Sequence, residues 1–294
     1  MLENLKISDT YDGFLYLSQS ELNPRAIGSH RHVELELNLV VRGELTYVVG
    51  GKRYVFSKGT LLWFFPAQEH QLVHRTPDAN NYVGVFKPEM IAETCRGDDY
   101  GDLKREDINC EGILNRQLRP ESFDLLKGIM DTLMVGSLDS ALLNREAGFG
   151  SQSSFRFEHN DPDALNAGLR YLLILCWRLS QEKSERDSST QLHPAVYRAL
   201  QLLGEGELAG LDDIASRCGV SAAYLSRLFR EQVGVPLNHY RNSIRLSRFM
   251  SYYRQPEQKT LLESVFAAGF GSYAQFYKVF LETYGYGPRE YFKR

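Results

Sequence analysis

Leu211-Asp212-Asp213-Ile214-Ala215-Ser216-Arg217-Cys218-Gly219-Val220-Ser221-Ala222-Ala223-Tyr224-Leu225-Ser226-Arg227-Leu228-Phe229-Arg230 has the grammar of two short helices joined by a tight turn. Ala215 is small enough to let the helices cross closely, and Gly219 can take the positive φ that such a turn requires. Ser221 is placed to cap the second helix. Counted from that serine, Leu225, Leu228 and Phe229 fall at +4, +7 and +8, one buried stripe at helical period, and Ala222, Ala223, Ser226, Arg227 and Arg230 lie on the other faces.

The same device recurs fifty residues on. Leu262 to Ala268 forms a first helix, Gly269-Phe270-Gly271 a turn and Ser272 a cap, with Phe276, Val279 and Phe280 again at +4, +7 and +8. Each copy ends alike. Phe229 is followed by Gly234 and Tyr240, Phe280 by Gly285 and Tyr291 at the same offsets, and Pro236 and Pro288 open a short segment before each tyrosine. One amphipathic helix pair is common in any helical domain; two in matched register point to a helix-turn-helix DNA reader. Between them, Pro236 to about Arg254 reads as one continuous helix carrying Arg241, Arg245 and Arg248 on one face. Such a helix is roughly 27 Å long, whereas successive major grooves on one face of B-DNA lie about 34 Å apart. Bent DNA, or unequal engagement of the two readers, is therefore expected.

The residues Ala215, Gly219, Ser221, Tyr224 to Phe229, Gly234, Tyr240, Arg245-Leu246, Gly269-Phe270, Ser272, Phe276, Val279-Phe280, Gly285, Pro288 and Tyr291 closely resemble the DNA-binding domain of the AraC/XylS family of bacterial transcription regulators. The second copy departs from the family pattern, with Ser264-Val265 where an Ile-Ala pair is usual and with Gly271 in the turn. The resemblance implies base reading by Ala223, Ser226 and Arg227 in the first recognition helix and by Ala274, Gln275 and Lys278 in the second. Arg227 has the chemistry for a bidentate pair with guanine and Gln275 for one with adenine, while the alanines offer only a methyl contact to thymine. Ser221, Arg230, Arg241 and Ser272 are better suited to phosphate contacts, which position without specifying. Double-stranded DNA and RNA polymerase are the partners the resemblance implies; activator is the mode it suggests, while the sequence itself does not set the sign, activation or repression.

Charge divides along the same line. From Leu192 onward there are 13 Lys and Arg against 9 Asp and Glu, whereas the preceding part is acidic enough to bring the whole chain to −3. A mildly basic reader joined to an acidic partner binds DNA in a salt-dependent way without a massive basic patch.

A chain of 294 residues, 43% hydrophobic, has room for two domains with separate cores. Residues 183–191 are polar and aperiodic and are expected to be the linker, dividing a sensor and dimerisation domain, 1–182, from the DNA-binding domain, 192–294. Met1 to Leu17 lacks the pattern of a secretory leader, and the longest apolar run, Tyr171 to Trp177, is too short to span a bilayer. Cys95, Cys110, Cys176 and Cys218 have neither CxxC spacing nor a disulfide framework. A cytoplasmic protein with free thiols and no membrane partner is expected.

From about Phe14 to Val85 the chain alternates as short strands with glycine turns: Leu35 to Val41, Leu45 to Val49, Arg53 to Phe56 and Leu61 to Phe65. A small antiparallel barrel or sandwich is expected. Within it His30, His32 and Glu36 share parity, and His70 can complete a four-ligand set. With Gly43, Gly59 and Pro66 these residues resemble the two signature motifs of the cupin barrel, the usual sensor of AraC-type regulators. Imidazole and carboxylate suit a first-row divalent metal. However, Leu35, Leu37, Leu39 and Val41 occupy the opposite face and compete for the interior, and such regulators often keep the histidines without a metal. The expectation is a cofactor-free, metal-free pocket in which His30, His32, Glu36, Asn38 and His70 bind a small polar effector, for example a sugar. A metal-dependent cupin enzyme or metal sensor using His30, His32, Glu36 and His70 is the alternative; it leaves the duplicated C-terminal device without a purpose.

From Pro120 to about Glu182 the pattern turns helical. Leu165, Leu169, Leu172, Leu173, Cys176 and Leu179 make a wide apolar stripe that must pack on something. The barrel can take part of it. By resemblance, a helix in this position mates with its counterpart in a second chain, so a homodimer is expected. The fold class is α+β: a cupin-like barrel with a helical dimerisation segment, then an all-α domain with two helix-turn-helix motifs joined by a long helix.

Overall fold

The computed structural model describes residues 5–104, 112–138, 144, 157–181, 189–205, 210–253 and 260–293. Eight strands follow one another first: β1 Gly13–Gln19, β2 Ile27–His30, β3 Leu35–Arg42, β4 Glu44–Val49, β5 Lys52–Ser57, β6 Thr60–Phe64, β7 His70–Arg75 and β8 Asn80–Phe86. Helix α1 (Pro88–Thr94), a 3-10 turn at Asp98–Lys104 and strand β9 (Leu114–Gln117) come next. Then come α2 (Pro120–Met134), the short strands β10 (Ser137–Leu138) and β11 (Glu158–His159), and α3 (Pro162–Ser180). Strand β12 (Thr190–Gln191) leads to α4 (Pro194–Gly204), α5 (Leu211–Arg217), α6 (Ala222–Val233), α7 (Leu237–Tyr253), α8 (Leu261–Ala267), α9 (Tyr273–Tyr284) and α10 (Pro288–Tyr291).

The strands form two antiparallel sheets, β1-β8-β3-β6-β9 and β12-β5-β4-β7-β2. Val40, Leu45, Tyr47, Val49, Tyr54, Phe56, Leu62, Phe64 and Leu72 fill the space between them. Both outer faces are also covered. Leu15, Leu35, Leu37, Leu39, Leu61 and Trp63 turn outward from the first sheet and pack with Met90, Leu126, Met130, Leu169, Leu172, Leu173 and Trp177 of the helices. This resolves the competition within β3. The leucines face the helical layer, and the opposite parity, Glu36 and Asn38, faces the barrel interior, because a strand buried on both sides needs two apolar partners. The stripe on α3 is thereby consumed within the chain: Leu165, Leu169, Leu172, Leu173 and Cys176 are each at most 1% exposed. It cannot serve as a dimer interface, which corrects that part of the sequence expectation.

The second sheet carries the reader. Ala26, Val48 and Val73 on its outer face share a core with Val196, Ala199, Leu200, Leu203, Ile214, Leu225, Phe229, Val233 and Tyr240. The expectation of two separate cores thus fails for the first helix-turn-helix unit, whose core includes barrel residues. The second unit has its own, built from Leu246, Phe249, Met250, Val265, Phe270, Phe276, Phe280 and Tyr291. Helix α7 spans both. The proposed linker also differs from expectation. Residues 182–188 lie outside the described residues, but Thr190 and Gln191 pair with Arg53 and Lys52, and Leu192 N–H donates to Gly51 O at 2.9 Å. An extended polar segment satisfies the open edge of β5 better than water-exposed backbone would, so that part of the linker becomes an edge strand.

Among the described residues no helix is long and apolar enough to cross a membrane. Cys95, Cys176 and Cys218 are free thiols; Cys110 lies outside the described residues.

Candidate functional site

The helix-turn-helix units form as their spacing requires. Gly219 and Gly269 turn with φ of 72° and 90°, a region closed to most side chains. Ser221 Oγ accepts from Tyr224 N–H at 3.3 Å, and Ser272 Oγ from Gln275 N–H at 3.2 Å. Both serine oxygens are thus helix caps, and only their hydroxyl protons are left for a phosphate. In the second unit Thr260 and Glu263 add a reciprocal capping box.

The reading faces are unequal. Arg227 is exposed, stacks over Tyr224 at 5.4 Å and pairs with Glu231 at 3.2 Å, a surface pair that releases at little cost. Ala223, Ser226 and Arg230 share this helix. In the second unit Gln275 Oε1 accepts from Gly271 N–H at 3.1 Å, so a bidentate pair with adenine requires breaking a bond to the turn. Lys278 lies beside Glu282 at 3.9 Å, and Ala274 shares its helix. Between the units, Asn238, Arg241, Asn242 and Arg245 of α7 line an open cleft with Gly210, Gly269, Gly271 and Gln275. Burial, followed by the neighbouring charges of Arg241 and Arg248, lowers Arg245 to about 10. Arg248 does not join this face: it donates to Leu203 O at 2.8 Å and pins α4.

In the barrel all of the sequence-selected polar residues meet. His30 and His70 are register partners across β2 and β7, with ring centroids 4.2 Å apart. His70 also stacks on Phe64, whose register partner on β3 is Glu36. His32 Nε2 lies 3.1 Å and His70 Nε2 3.7 Å from Glu36 Oε2, and one ligand atom from each of His30, His32, Glu36 and His70 lies within 4.8 Å of the others. The far nitrogens are fixed. His30 Nδ1 faces Gly28 O at 2.9 Å, His32 Nδ1 faces Glu34 O at 3.0 Å and His70 Nδ1 faces Gln68 O at 3.0 Å. A carbonyl only accepts, so each Nδ1 carries a proton, and in a neutral ring Nε2 then presents a lone pair. Asn38 donates to Glu36 Oε1 at 2.6 Å and accepts from Asn81 at 2.6 Å.

Lone pairs facing a carboxylate repel unless a cation, a proton or a metal ion, lies between them. Burial, then the charges of His70 and His32, lowers His30 to about 3. Burial raises the pKa of Glu36, but a hydrogen bond from His32, whose Nε2 then carries a proton as well, and the neighbouring His70 outweigh it and hold the carboxyl well below its usual range. The donor set therefore fits a first-row divalent ion, and the backbone carbonyls behind the imidazoles orient them as metal sites require.

Sequence reasoning missed the contacts that join this site to the reader. Gln71, next to His70, donates to the Tyr240 hydroxyl of α7. Ala26 N–H donates to Ser243 Oγ at 2.6 Å, and Arg25 to Ser247 Oγ at 3.2 Å. The polar parity of Gln71 on a buried strand was the available signal.

Comparison with known proteins gives the family. A family described as "Helix-turn-helix domain" matches residues 214–294, and one described as "Cupin domain" matches residues 19–85. The melibiose operon regulatory protein of Escherichia coli K12 is 19% identical over 282 residues, covering 90% of this chain and 83% of that protein. Among solved structures, apo ToxT from Vibrio cholerae aligns with a TM-score of 0.35 and 12% identity over 97% of both chains. The AraC-like transcriptional activator CuxR aligns with a TM-score of 0.32 and 15% identity over 90% of this chain and 83% of its own. With a cupin barrel ahead of two capped helix-turn-helix units joined by one helix, the chain belongs to the AraC-type DNA-binding transcription regulators.

Proposed function

We propose that the barrel site is the sensor of this regulator, and that its occupancy sets how α7 presents the two recognition helices. The observation that carries this is the adjacency of site and reader: β2 ends at His30 and begins beside Ala26, while β7 begins with His70 and Gln71. Two of the four convergent ligands thus sit on the strands that hold α7 through Gln71–Tyr240 and Ala26–Ser243. A small shift of β2 against β7 on ligation is delivered to the helix that fixes the spacing of the readers. An effector acts only through its differential affinity for the two arrangements.

The donor set moves the reading of the barrel from a metal-free pocket toward one holding a divalent cation, with His30, His32, Glu36 and His70 as its ligands. Such an ion supplies a Lewis-acidic anchor for a polar effector. The protein's own residues orient the imidazoles and hold the Glu36 carboxylate ionised. Elemental analysis of the purified protein and of His32→Ala tests this, with operator binding measured before and after chelation. Near-stoichiometric metal in the native protein and its loss in the variant are expected. A metal-free native protein whose DNA binding ignores both chelator and His32→Ala sinks the sensor assignment.

On DNA, Arg227 carries most of the base discrimination, with Ala223 and Ser226 beside it. Ala274, Gln275 and Lys278 tune it, and Ser221, Arg230, Arg241 and Ser272 hold phosphates. The regulator works as a homodimer that contacts RNA polymerase. With the α3 stripe buried, the dimer surface is assigned to the exposed apolar residues that α2 and α3 leave outside, Leu125, Val135 and Tyr171.

A further inference from the structure

We infer that the barrel interior has a second pole, Arg75, which makes the effector of the sensor site an anionic molecule. Arg75 ends β7, the strand that begins with His70, and is only 6% exposed. A bulge between the partners of Thr46 and Tyr47 reverses the strand's parity. As a result Val73 packs toward the reader, and Arg75, opposite Leu45, turns into the barrel.

A buried guanidinium ordinarily has a carboxylate partner. Among the described residues Arg75 has none. Its Nη1 donates to Ser18 Oγ at 3.2 Å, and its Nε–H is buried without an acceptor. The titratable groups near it are the neutral Tyr47 and Tyr16 phenols and a second cation, Arg25. Arg75 is nevertheless connected to the sensor cluster. Ser18 is the register partner of Asn81, Asn81 donates to Asn38, and Asn38 donates to Glu36. Tyr47 feels both Glu36 and Arg75 and so lies near both poles. A ribbon of hydrogen-bonding groups thus runs through the barrel from a cation-demanding cluster to an anion-demanding guanidinium.

A buried, uncompensated charge destabilises the folded state and is retained where it recognises something. The ligand that completes the site has polar oxygens for the histidine end and a carboxylate or phosphate for the planar guanidinium fork. This inference rests on the barrel being the sensor, and the test separates the two.

The full-length protein and its Arg75→Met and His32→Ala variants are compared by thermal unfolding, alone and with galactose, galacturonate, galactose 1-phosphate, acetate or inorganic phosphate. Removing a charge that awaits a ligand stabilises the empty protein, so Arg75→Met should melt at least about 2–4 °C higher without ligand. The native protein should be stabilised by anionic probes more than by galactose, and Arg75→Met should not. The carboxylate and phosphate arms identify which anion the site prefers. A lower melting temperature for Arg75→Met, or an anion response that survives in it, overturns the inference. A galactose response lost in His32→Ala but intact in Arg75→Met would do the same while leaving the sensor assignment standing. Responses unchanged in both variants overturn both.

Discussion

At the scale of single residues, the two recognition helices differ in what their side chains are doing before DNA arrives. Arg227 is held by a stacked tyrosine and one exposed ion pair, so in the proposed reading it is released toward guanine at little cost. Gln275 is already bonded to its own turn. Arg227→Ala should cost about 1–3 kcal/mol of binding and flatten discrimination at one base pair. Gln275→Ala should cost less, because a bond to Gly271 is lost from the free protein as well; both are checked by mobility shift on a randomised operator. Arg241→Ala should weaken all sequences alike and lower the salt slope by about 1. The imidazole cluster gives a pH signature. In the metal-free protein His30 has a pKa of about 3, below its unfolded value of 6.5, so the unfolded chain binds the proton first. Its contribution is present above pH 6.5 and is lost progressively as the pH falls toward 3. The depressed Glu36 carboxyl acts in the same direction at lower pH. Denaturant unfolding of metal-free protein should show a loss on the order of 2 kcal/mol from His30 between pH 7 and 5. Stability that is flat over that interval would contradict the half-buried neutral imidazole.

At the scale of elements, α7 is the member on which the others depend. It contributes Tyr240 and Ile244 to one core and Leu246, Phe249 and Met250 to another, so the two readers are set by one rod. Its 17 residues make it about 26 Å long, short of the separation between neighbouring major grooves. Circular-permutation mobility shifts should therefore show bent DNA, or footprints should show the second unit protecting its half weakly. A straight duplex fully engaged by both helices would contradict this. Tyr240→Phe removes the bond to Gln71 while keeping the ring. It should leave DNA affinity near the native value but reduce its dependence on site occupancy, read as binding with and without chelator. Helix α3, by contrast, is a structural strut. Leu169→Ala should cost roughly 2–5 kcal/mol in denaturant unfolding, because the surrounding helices and sheet cannot close the cavity. The duplicated motif, the strands and the α3 stripe were legible from periodicity alone. What α3 packs on was not, since an apolar stripe looks the same whether it meets its own barrel or a second chain.

At the scale of the whole molecule, a double-faced barrel stands between two helical layers. One layer buries α3 and leaves Leu125, Val135 and Tyr171 exposed, and the other is the first reader unit itself. If the homodimer forms through the exposed residues, Val135→Glu with Tyr171→Glu should sediment as a monomer at micromolar concentration with its fold intact. An unchanged dimer would move the interface elsewhere. The barrel and first reader unit share one core, so they are expected to unfold together, and a signal at the barrel needs no separate linkage to reach α7.

The sequence by itself determined which side chains are available to the reader and to the barrel cluster. Helical period, turn glycines and capping serines fix the duplicated reader locally, since they depend on neighbours a few residues apart; parity along one strand singled out His30, His32 and Glu36, but they meet across the bend between β2 and β3, strands of different sheets. The tertiary structure decided where those faces point. Only the helical layer over the first sheet shows that the leucines of β3 face out and Glu36 faces in. Only the packing of the second sheet on α7 brings Gln71 to Tyr240, 169 residues apart. Only the bulge in β7 turns Arg75 into the interior. These relations join residues distant in the chain, and they are set by which apolar surfaces find each other in space, a quantity no local pattern contains.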